Sequence, residues 1–413
     1  MKYGLIAEKL GHSYSKIIHE LLGRYEYDLM PMSEKDVVKL LEKREFDGLN
    51  VTIPYKSTVI PYLDWVSPDA ERIGAVNTIV NRGGRLFGYN TDYAGFKLTL
   101  QRKSFDVAGK NVLMLGSGGT SKTVCTVCAD AGAKSVMVAS RTPTGEQKSY
   151  DTAHEPAVDY IINTTPCGMY PETGAAAIDI KKFKNVSGVV DVIFNPLHTR
   201  LLLDCRDLGI PYANGLFMLV SQAMASAELF TGQKVARGEG ERIYKKLREQ
   251  TENIVLIGMP GAGKTTVGRL IAEQQNRVFI DTDAEISKIT GNIAGYIREN
   301  GEKAFREIES AVIKKKLKDA RGAVVATGGG AILRQENVDA LRENGVLFYL
   351  DRRLSLLKPD DTRPLSSNKA ALYARYAERR DKYKAACDYR VINNTTPENA
   401  AEKILQLQRK SGI

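Results

Sequence analysis

The sequence is poor in the residues on which disulfide scaffolds and histidine-rich metal sites depend. Its 413 residues include 5 cysteines and 4 histidines. The odd number of cysteines follows no framework spacing, which is typical of proteins in a reducing compartment. No two histidines stand at metal-ligand spacing, the four being His12, His19, His154 and His198. We therefore predict a reducing compartment and no structural metal.

Long apolar runs are also missing. No stretch reaches the roughly 18 apolar residues of a membrane helix, and the N-terminus lacks the apolar region of a signal peptide. Hydrophobic residues make up 43% and charged residues 26%, which indicates a globular protein with no disordered tract. We expect a cytoplasmic protein without membrane contact.

One cysteine pair has the spacing of a redox motif. Cys125 and Cys128 form C-x-x-C inside a predicted helix after a glycine-rich turn. Cysteine at such positions is commonly a small buried residue. We interpret the pair as packing residues and keep the redox site as the alternative.

The formal net charge of +10 is compatible with nucleic-acid binding. The basic residues are, however, dispersed among acidic ones, and no recognition motif accompanies them. Small anionic substrates and nucleotides explain the charge equally well. We predict no nucleic-acid partner.

Short β-rich runs alternate with helical patterns along the chain, which predicts parallel strands joined by helices, an α/β fold. The length suggests two to four domains. A new α/β unit begins with NVLMLG at residue 111, and another with NIVLIG at residue 253. We predict domains at 1–101 and 102–220, a helical segment 221–250 that packs back on the first, a short linker around Thr251 and Glu252, and a last domain at 253–413.

The last domain begins with IVLIGMPGAGKTTVGRL, residues 254–270. This run matches G-x-x-x-x-G-K-[ST] between a predicted strand and a predicted helix, which is the context of a phosphate-binding loop. Backbone N–H groups of the loop would bind phosphate oxygens, and the lysine would bind the β and γ phosphates. The threonine hydroxyl would bind Mg²⁺. The predicted nucleoside triphosphate site comprises Gly258, Gly261, Ala262, Gly263, Lys264, Thr265 and Thr266.

The next strand ends with two acidic residues, Asp281 and Asp283, on one face. Alone they could be solvated turn residues, but phosphoryl transfer needs one carboxylate near Mg²⁺ and another near the acceptor hydroxyl. Arg306, Arg363 and Arg379 are candidates for a carboxylate fork or a transition-state clamp.

These motifs, in this order, resemble the shikimate kinase family. The likeness spans most of residues 253–395 and includes FIDTDAEI, VVATGGGAI, TRPL and ERRDKY. It implies a P-loop fold of the nucleoside-monophosphate-kinase type, ATP and Mg²⁺ as cofactors, Asp281 near the metal, and a mobile lid that carries Arg363. The family has another arginine before the lid, and the segment before Arg363 in this chain contains no clear counterpart to it. The implied shikimate contacts are Asp283, Arg306, Gly329, Gly330 and Arg379.

An earlier glycine-rich turn, GSGGTS at residues 116–121, lies between a predicted strand and a predicted helix. The turn lacks the last glycine of the G-x-G-x-x-G motif, because Ser121 occupies that position. By itself it is therefore weak evidence for a dinucleotide-binding site. The following strand ends in Ser140 and Arg141 rather than the acid of an NAD site. We therefore favour NADP over NAD, because Arg141 suits a 2′-phosphate.

Two charged residues follow strand ends in the first domain: Lys56 in GLNVTIPYK and Asp92 in GYNTDYAGF. A surface ion pair is one interpretation. A reductase, however, needs a group that protonates a carbonyl oxygen while hydride arrives, and a lysine–aspartate pair at a cleft suits that task.

The surrounding segments resemble the shikimate dehydrogenase family along residues 1–250, including GLIAEKLGHSYSKIIH, NTTPCGMYP and NGLFMLVSQA. The resemblance implies a two-domain α/β dehydrogenase with a Rossmann-like NADP domain and makes Lys56 and Asp92 the catalytic pair. It implies substrate contacts at Ser13, Ser15, Thr52, Asn77 and Gln222, and NADP contacts at Gly116, Gly118, Gly119, Ser140, Arg141 and Thr142.

The chain departs from that family at two places. Phe194 stands where the family often has a tyrosine, and the segment after Arg141 is shorter than usual. Our leading hypothesis is a bifunctional enzyme that reduces 3-dehydroshikimate with NADPH and phosphorylates the resulting shikimate with ATP. The alternatives are an NAD-dependent quinate or shikimate dehydrogenase fused to the kinase, and a chain in which one half only binds.

Overall fold

The computed structural model describes residues 2–10, 13–154, 157–357 and 369–410. The chain divides into two compact units, residues 1–247 and 248–413. Each unit has an α/β fold, as the sequence predicts.

The first sheet of unit one has the strand order β2-β1-β3-β5-β6-β4. Its core includes Ile6, Leu49 and Ile79, all buried. The strands and helices of this part are β1 (Tyr3–Ala7), α1 (Tyr14–Leu22), β2 (Tyr27–Pro31), α2 (Glu34–Lys43), β3 (Gly48–Val51), β4 (Trp65–Val66), α3 (Pro68–Ile73), β5 (Thr78–Arg82), β6 (Arg85–Tyr89) and α4 (Thr91–Arg102).

This first sheet is mixed, which differs from the expectation of parallel strands. β5 pairs antiparallel with both β3 and β6. A two-residue turn at Gly83 and Gly84, both with positive φ, connects β5 directly to β6. Such a turn forms a hairpin and leaves no length for a crossover helix.

The second sheet of unit one is parallel, with the order β12-β11-β10-β7-β8-β9. Two helices follow it, and the first of them, α7, packs on α1 and α4. The elements are β7 (Asn111–Leu115), α5 (Gly119–Asp130), β8 (Ser135–Ser140), β9 (Lys148–Ser149), β10 (Tyr160–Asn163), β11 (Gly188–Asp191), α6 (Arg200–Asp207), β12 (Tyr212–Ala213), α7 (Leu216–Thr231) and α8 (Glu239–Thr251).

Unit two contains one parallel sheet with the order β14-β15-β13-β16-β17. The strands at its centre are apolar on both faces, as helices cover both sides of a parallel sheet. The elements are β13 (Asn253–Ile257), α9 (Lys264–Gln275), β14 (Phe279–Asp281), α10 (Thr282–Thr290), α11 (Ile293–Asp319, kinked at Gly301), β15 (Val324–Ala326), α12 (Gln335–Glu343), β16 (Gly345–Asp351), α13 (Lys369–Ala386), β17 (Tyr389–Ile392) and α14 (Pro397–Lys410).

The linker expected at Thr251 and Glu252 is not an exposed segment. Thr251 ends α8, and the two residues are 1% and 2% exposed. Glu252 lies beside Arg248 and Gln408 within unit two. The boundary between the two compact units falls inside α8, between Leu247 and Arg248.

Candidate functional sites

A cavity of about 330 Å³ in unit one collects residues from several elements. The end of β3, the start of α1, the first turn of α4 and the first half of α7 contribute to its wall. All seven residues that were expected to form the dehydrogenase substrate and catalytic site line it: Ser13, Ser15, Thr52, Lys56, Asn77, Asp92 and Gln222.

Lys56 and Asp92 meet in this cavity. Lys56 follows β3, and Asp92 lies in the first turn of α4, which begins immediately after β6. The Lys56 Nζ and Asp92 Oδ2 atoms are 2.6 Å apart, and the side chains are 18% and 13% exposed. A charged pair at this distance, mostly withdrawn from water, can hold and pass a proton.

The N-terminus of α1 contributes the two serines. Ser13 caps the helix, and its Oγ accepts a hydrogen bond of 3.3 Å from the Ser15 backbone N–H. Such a cap fixes the first turn of the helix, so that both serines hold defined positions in the cavity wall.

Asn50 also lines the cavity and was not among the predicted site residues. It lies on β3 two positions before Thr52 and is 5% exposed. Since side chains alternate along a strand, the prediction for Thr52 already implied that Asn50 shares its face. That alternation was the available signal.

Phe194, which stands in place of the expected tyrosine, lines the cavity as well. Its ring packs edge-on against Tyr14, with ring centroids 5.6 Å apart and an angle of 89°. Tyr14 is itself a lining residue. This part of the wall is therefore aromatic, and the arrangement is a favourable T-shaped contact.

The earlier glycine-rich turn joins β7 to α5. Gly118 is the N-cap of α5, and a Cβ built on Gly118 or Gly119 would meet nothing within 4 Å. The turn lies where the strand order reverses, because β7 pairs with both β8 and β10. A helix N-terminus with open space at a topological switch point fits a dinucleotide pyrophosphate.

The end of β8 presents the residues that were expected to select the nucleotide. Ser140 is buried and donates a hydrogen bond of 3.0 Å to Gln147 Oε1, while Arg141 and Thr142 are exposed. Gln147 also accepts from the Thr144 backbone N–H, so it braces the loop after Arg141. No sequence motif pointed to Gln147.

The C-x-x-C pair lies within α5. All five cysteines are free thiols. Burial raises the pKa of the Cys128 thiol to about 12 and also raises that of Cys125. Since the thiolate is the reactive form, these values favour the packing interpretation.

The phosphate-binding loop of unit two connects β13 to α9. Gly263 has φ 93° and caps α9, and a Cβ there would come within 2.9 Å of Asn393 Nδ2. Lys264 is 7% exposed and donates from Nζ to the carbonyl oxygens of Gly258 and Met259, at 2.8 and 3.0 Å. The lysine ammonium is thus held along the loop where phosphate oxygens would bind.

Thr265 and Asp281, the two residues expected to hold Mg²⁺, contact each other directly. The Thr265 hydroxyl donates a 2.8 Å hydrogen bond to Asp281 Oδ2. Asp281 Oδ1 in turn accepts from the backbone N–H groups of Asp283 and Ala284, which fixes the carboxylate at the start of α10. A hydroxyl and a carboxylate oxygen beside a phosphate loop are the ligands that Mg²⁺ prefers.

The five residues expected at the acceptor site converge on the loop after β15. A Cβ built on Gly330 would lie 2.1 Å from Arg306 Nη1, so only glycine permits this approach. Arg379 Nη1 donates to the Gly329 carbonyl oxygen at 3.1 Å. Asp283 Oδ1 lies 2.6 Å from a Cβ built on the neighbouring Gly328.

Glu309 belongs to this cluster and was not predicted. Arg306 Nη1 donates to Glu309 Oε2 at 2.7 Å, and Glu309 is 1% exposed. Burial raises the pKa of Glu309, opposed by Arg306. Burial alone would lower the pKa of Arg306, but the carboxylates of Glu309 and Glu302 more than offset it, and its pKa is raised. The spacing Arg306-x-x-Glu309 on one helix was the signal available.

Arg363 lies outside the described residues. Within the part of the chain that is described, no cluster of three or more histidine, cysteine, aspartate or glutamate side chains could hold a metal ion. Over the same residues no helix has the length and apolar character needed to cross a membrane.

Comparisons with known proteins identify a family for each part of the chain. Residues 5–79 match the family model of the shikimate dehydrogenase substrate binding domain, and residues 260–409 match that of shikimate kinase. A shikimate dehydrogenase (NADP(+)) of Clostridium perfringens is 37% identical over 265 residues, which cover 60% of this chain and 98% of that protein. The corresponding protein of Caldanaerobacter subterraneus subsp. tengcongensis is 36% identical over 271 residues, 60% and 96% of the two chains.

Solved structures give the same result for unit one. A chorismate mutase/shikimate 5-dehydrogenase fusion protein from Clostridium acetobutylicum is 36% identical and covers 60% of this chain and 97% of its own, with a TM-score of 0.57. Shikimate 5-dehydrogenase from Thermus thermophilus, in complex with NADP(H) and shikimate, is 30% identical. The match covers 60% of this chain and 99% of that protein, with a TM-score of 0.54.

Proposed function

The chain belongs to the shikimate dehydrogenase family and carries a shikimate kinase domain at residues 260–409, and from this premise we propose that it catalyses two successive reactions. The first is the NADPH-dependent reduction of 3-dehydroshikimate to shikimate. The second is the ATP-dependent phosphorylation of shikimate on its 3-hydroxyl.

We assign the first reaction to the cavity of unit one. The β7–α5 turn would hold NADPH, which would supply the hydride for the carbonyl carbon. Lys56 then provides the proton for the carbonyl oxygen, and Asp92, 2.6 Å from its Nζ, holds the ammonium in place. One C=O bond becomes a CH–OH group, so hydride and proton balance. Ser13, Ser15, Thr52, Asn77 and Gln222 would hold the hydroxyls and the carboxylate.

We assign the second reaction to unit two. Lys264 and the backbone of the phosphate loop would bind the phosphates of ATP, and Thr265 and Asp281 would hold Mg²⁺. Asp283 would accept the proton of the shikimate hydroxyl as the phosphoryl group is transferred. Arg306 and Arg379, which converge on the loop after β15, would bind the substrate carboxylate.

The cofactor preference follows from the end of β8. Arg141 is exposed there, and this arginine rather than an acidic residue directly follows Ser140, an arrangement that suits the 2′-phosphate of NADP rather than the free hydroxyl of NAD. We also retain the predicted division of the chain: substrate domain 1–101 with 221–250, NADP domain 102–220, and kinase domain 253–413.

The main support for the proposal is that, in each unit, residues expected to take part in the reaction lie in contact. Lys56 meets Asp92 in one unit, and Thr265 meets Asp281 in the other. The test is a coupled assay on the purified chain, with 3-dehydroshikimate, NADPH, ATP and Mg²⁺. We expect NADPH oxidation followed by ADP formation that depends on shikimate. The absence of both activities would refute the proposal.

Two substitutions separate the sites. We expect Lys56→Ala to abolish reduction and leave shikimate phosphorylation intact, and Lys264→Ala to do the reverse. If one substitution has no effect on either activity, the corresponding unit only binds. Faster reduction with NADH than with NADPH would instead favour the NAD-dependent alternative.

A further inference from the structure

Beneath the substrate cavity of unit one lies a group of three buried hydroxyls that no motif predicts. Thr78 lies on β5, Thr91 begins α4, and Ser226 lies on α7; they are 0%, 4% and 0% exposed. The Ser226 Oγ is 2.9 Å from Thr78 Oγ1 and 3.0 Å from Thr91 Oγ1. We name these three residues the hydroxyl triad.

The triad contacts Asn50 on one side. Asn50 Nδ2 donates to Ser226 Oγ at 2.8 Å and to Thr78 Oγ1 at 3.0 Å. Its Oδ1 accepts from the Tyr27 hydroxyl at 2.7 Å. Both hydrogens of the Asn50 amino group are thereby used inside the protein, and only the amide oxygen can still accept a hydrogen bond from a ligand.

The triad contacts Asn77 on the other side. Here the amide oxygen of the asparagine, not its amino group, faces the triad. Asn77 Oδ1 accepts from the Thr91 backbone N–H at 2.7 Å and lies 3.1 Å from the hydroxyls of Thr91 and Thr78. Within the described residues its Nδ2 forms no hydrogen bond. Asn77 lines the cavity, so its amino group is the part left to donate to a ligand.

Ser226 links these contacts to α7. Its hydroxyl donates to the Gln222 carbonyl oxygen at 3.0 Å, one turn earlier on the helix. That single proton is therefore used, and Ser226 Oγ is left as an acceptor for Asn50. Removing this oxygen would take away the nearest of three acceptors of the Asn50 amino group, the others being Thr78 Oγ1 and the Asn77 carbonyl oxygen at 3.3 Å. The loss of a buried hydrogen bond is costly.

We propose that the hydroxyl triad, with Ser226 at its centre, sets the amide orientations of Asn50 and Asn77 and thereby the donor and acceptor pattern that the cavity offers. The matching substrate presents one hydroxyl that donates and one oxygen that accepts, as a polyhydroxylated carboxylic acid does. The inference rests on the proposed dehydrogenase activity. The three residues are positioning residues, since none of them lines the cavity and they act on it through Asn50 and Asn77. Thr91 Oγ1 also donates to Gln222 Oε1, at 3.5 Å.

The experiment compares Ser226→Ala with Ser221→Ala. Ser221 is on the same helix and is 2% exposed, but it forms none of these hydrogen bonds. In Ser226→Ala we expect the KM for 3-dehydroshikimate and the Kd for shikimate to rise about three- to tenfold. The KM for NADPH and the kinase activity of the same chain should change less than about twofold, and Ser221→Ala should match the wild type.

A second pair of variants guards against a folding defect. Thr78→Val removes a triad hydroxyl at constant size, while Thr78→Ser keeps it. We expect the valine variant to lose substrate affinity and the serine variant to retain it. Equal KM values in Ser226→Ala and the wild type, or equal losses in Ser226→Ala and Ser221→Ala, would overturn the proposal. A wild-type chain that fails to reduce 3-dehydroshikimate would instead refute the proposed function, and this inference with it.

Discussion

Lys56 Nζ and Asp92 Oδ2 lie 2.6 Å apart although 36 residues separate them in the chain. β3 and β6 do not pair with each other; β5 lies between them and pairs antiparallel with both. The antiparallel turn from β5 to β6 makes the end of β6 point to the same edge of the sheet as the end of β3. The charged pair is thus a consequence of the hairpin that makes the first sheet mixed.

The substitution Asp92→Asn tests the role of this pair. Asparagine keeps the size of the side chain but removes the charge that holds the Lys56 ammonium. We expect the kcat for reduction to fall about 10²- to 10⁴-fold, the usual contribution of a positioned acid or base, while the KM for 3-dehydroshikimate changes little. Steady-state kinetics with NADPH measure both parameters.

The matched control for Asp92→Asn is Asp130→Asn. Asp130 also forms an ion pair with a basic residue of unit one, Arg72, but it is away from the cavity wall. We expect its kcat to stay within about twofold of the wild type. A raised KM with an unchanged kcat in Asp92→Asn would show that Asp92 only binds substrate.

The substitution Arg141→Asp tests the cofactor assignment. An aspartate would repel the 2′-phosphate of NADP and could accept a hydrogen bond from the 2′-hydroxyl of NAD. We expect the ratio of kcat/KM for NADPH to that for NADH to fall about ten- to hundredfold. Lys134→Asp is the control, since Lys134 is exposed and precedes the other end of β8. A wild-type preference for NADH would contradict our interpretation of Arg141.

The motifs that depend on the local backbone were predictable from sequence. The phosphate loop needs a strand, glycines and a helix in direct succession, and all of these are adjacent in the chain. The residues Lys56 and Asp92 were likewise predicted because each follows a strand end. Strands β7, β8, β13 and β14 form at the predicted runs that precede these motifs.

The hydroxyl triad was not predictable in this way. Ser226 lies 148 residues from Thr78 and 135 from Thr91, and a lone serine or threonine has no distinctive pattern. Only the packing of α7 beside α4 brings the three together. Asn50 and the β5–β6 hairpin, by contrast, could have been predicted. Strand alternation places Asn50 on the face of Thr52, and the Gly83–Gly84 pair is typical of a hairpin turn.

The substitution Asp281→Asn tests the magnesium site of the kinase. The Asp281 carboxylate accepts from the Thr265 hydroxyl, and its charge would stabilise the bound cation. We expect the Mg²⁺ concentration for half-maximal kinase activity to rise about tenfold. Asp283→Asn provides the comparison, because loss of the residue that accepts the substrate proton should lower the kcat without a shift in Mg²⁺ dependence. Identical magnesium curves for wild type and Asp281→Asn would place the cation elsewhere.

Glu252 makes the stability of unit two depend on pH. It is 2% exposed, and burial raises its pKa to about 7, opposed by Arg248. The folded chain therefore holds the Glu252 proton more tightly than the unfolded chain, whose glutamate has a pKa of about 4.5. The unfolding free energy must then decrease as the pH rises from about 4.5 to 7, since the folded state binds more protons over that range.

Glu252→Gln removes this titration. We expect the stability of the variant relative to the wild type to increase, between pH 4.5 and 7, by on the order of 3 kcal/mol. Hydrogen–deuterium exchange of the peptide covering β13, compared between variant and wild type at each pH, measures the difference in unit two. Glu249→Gln, at an exposed position of α8, the helix that ends one residue before Glu252, should follow the wild type at every pH. Parallel curves for Glu252→Gln and the wild type would mean that Glu252 stays ionised throughout this range.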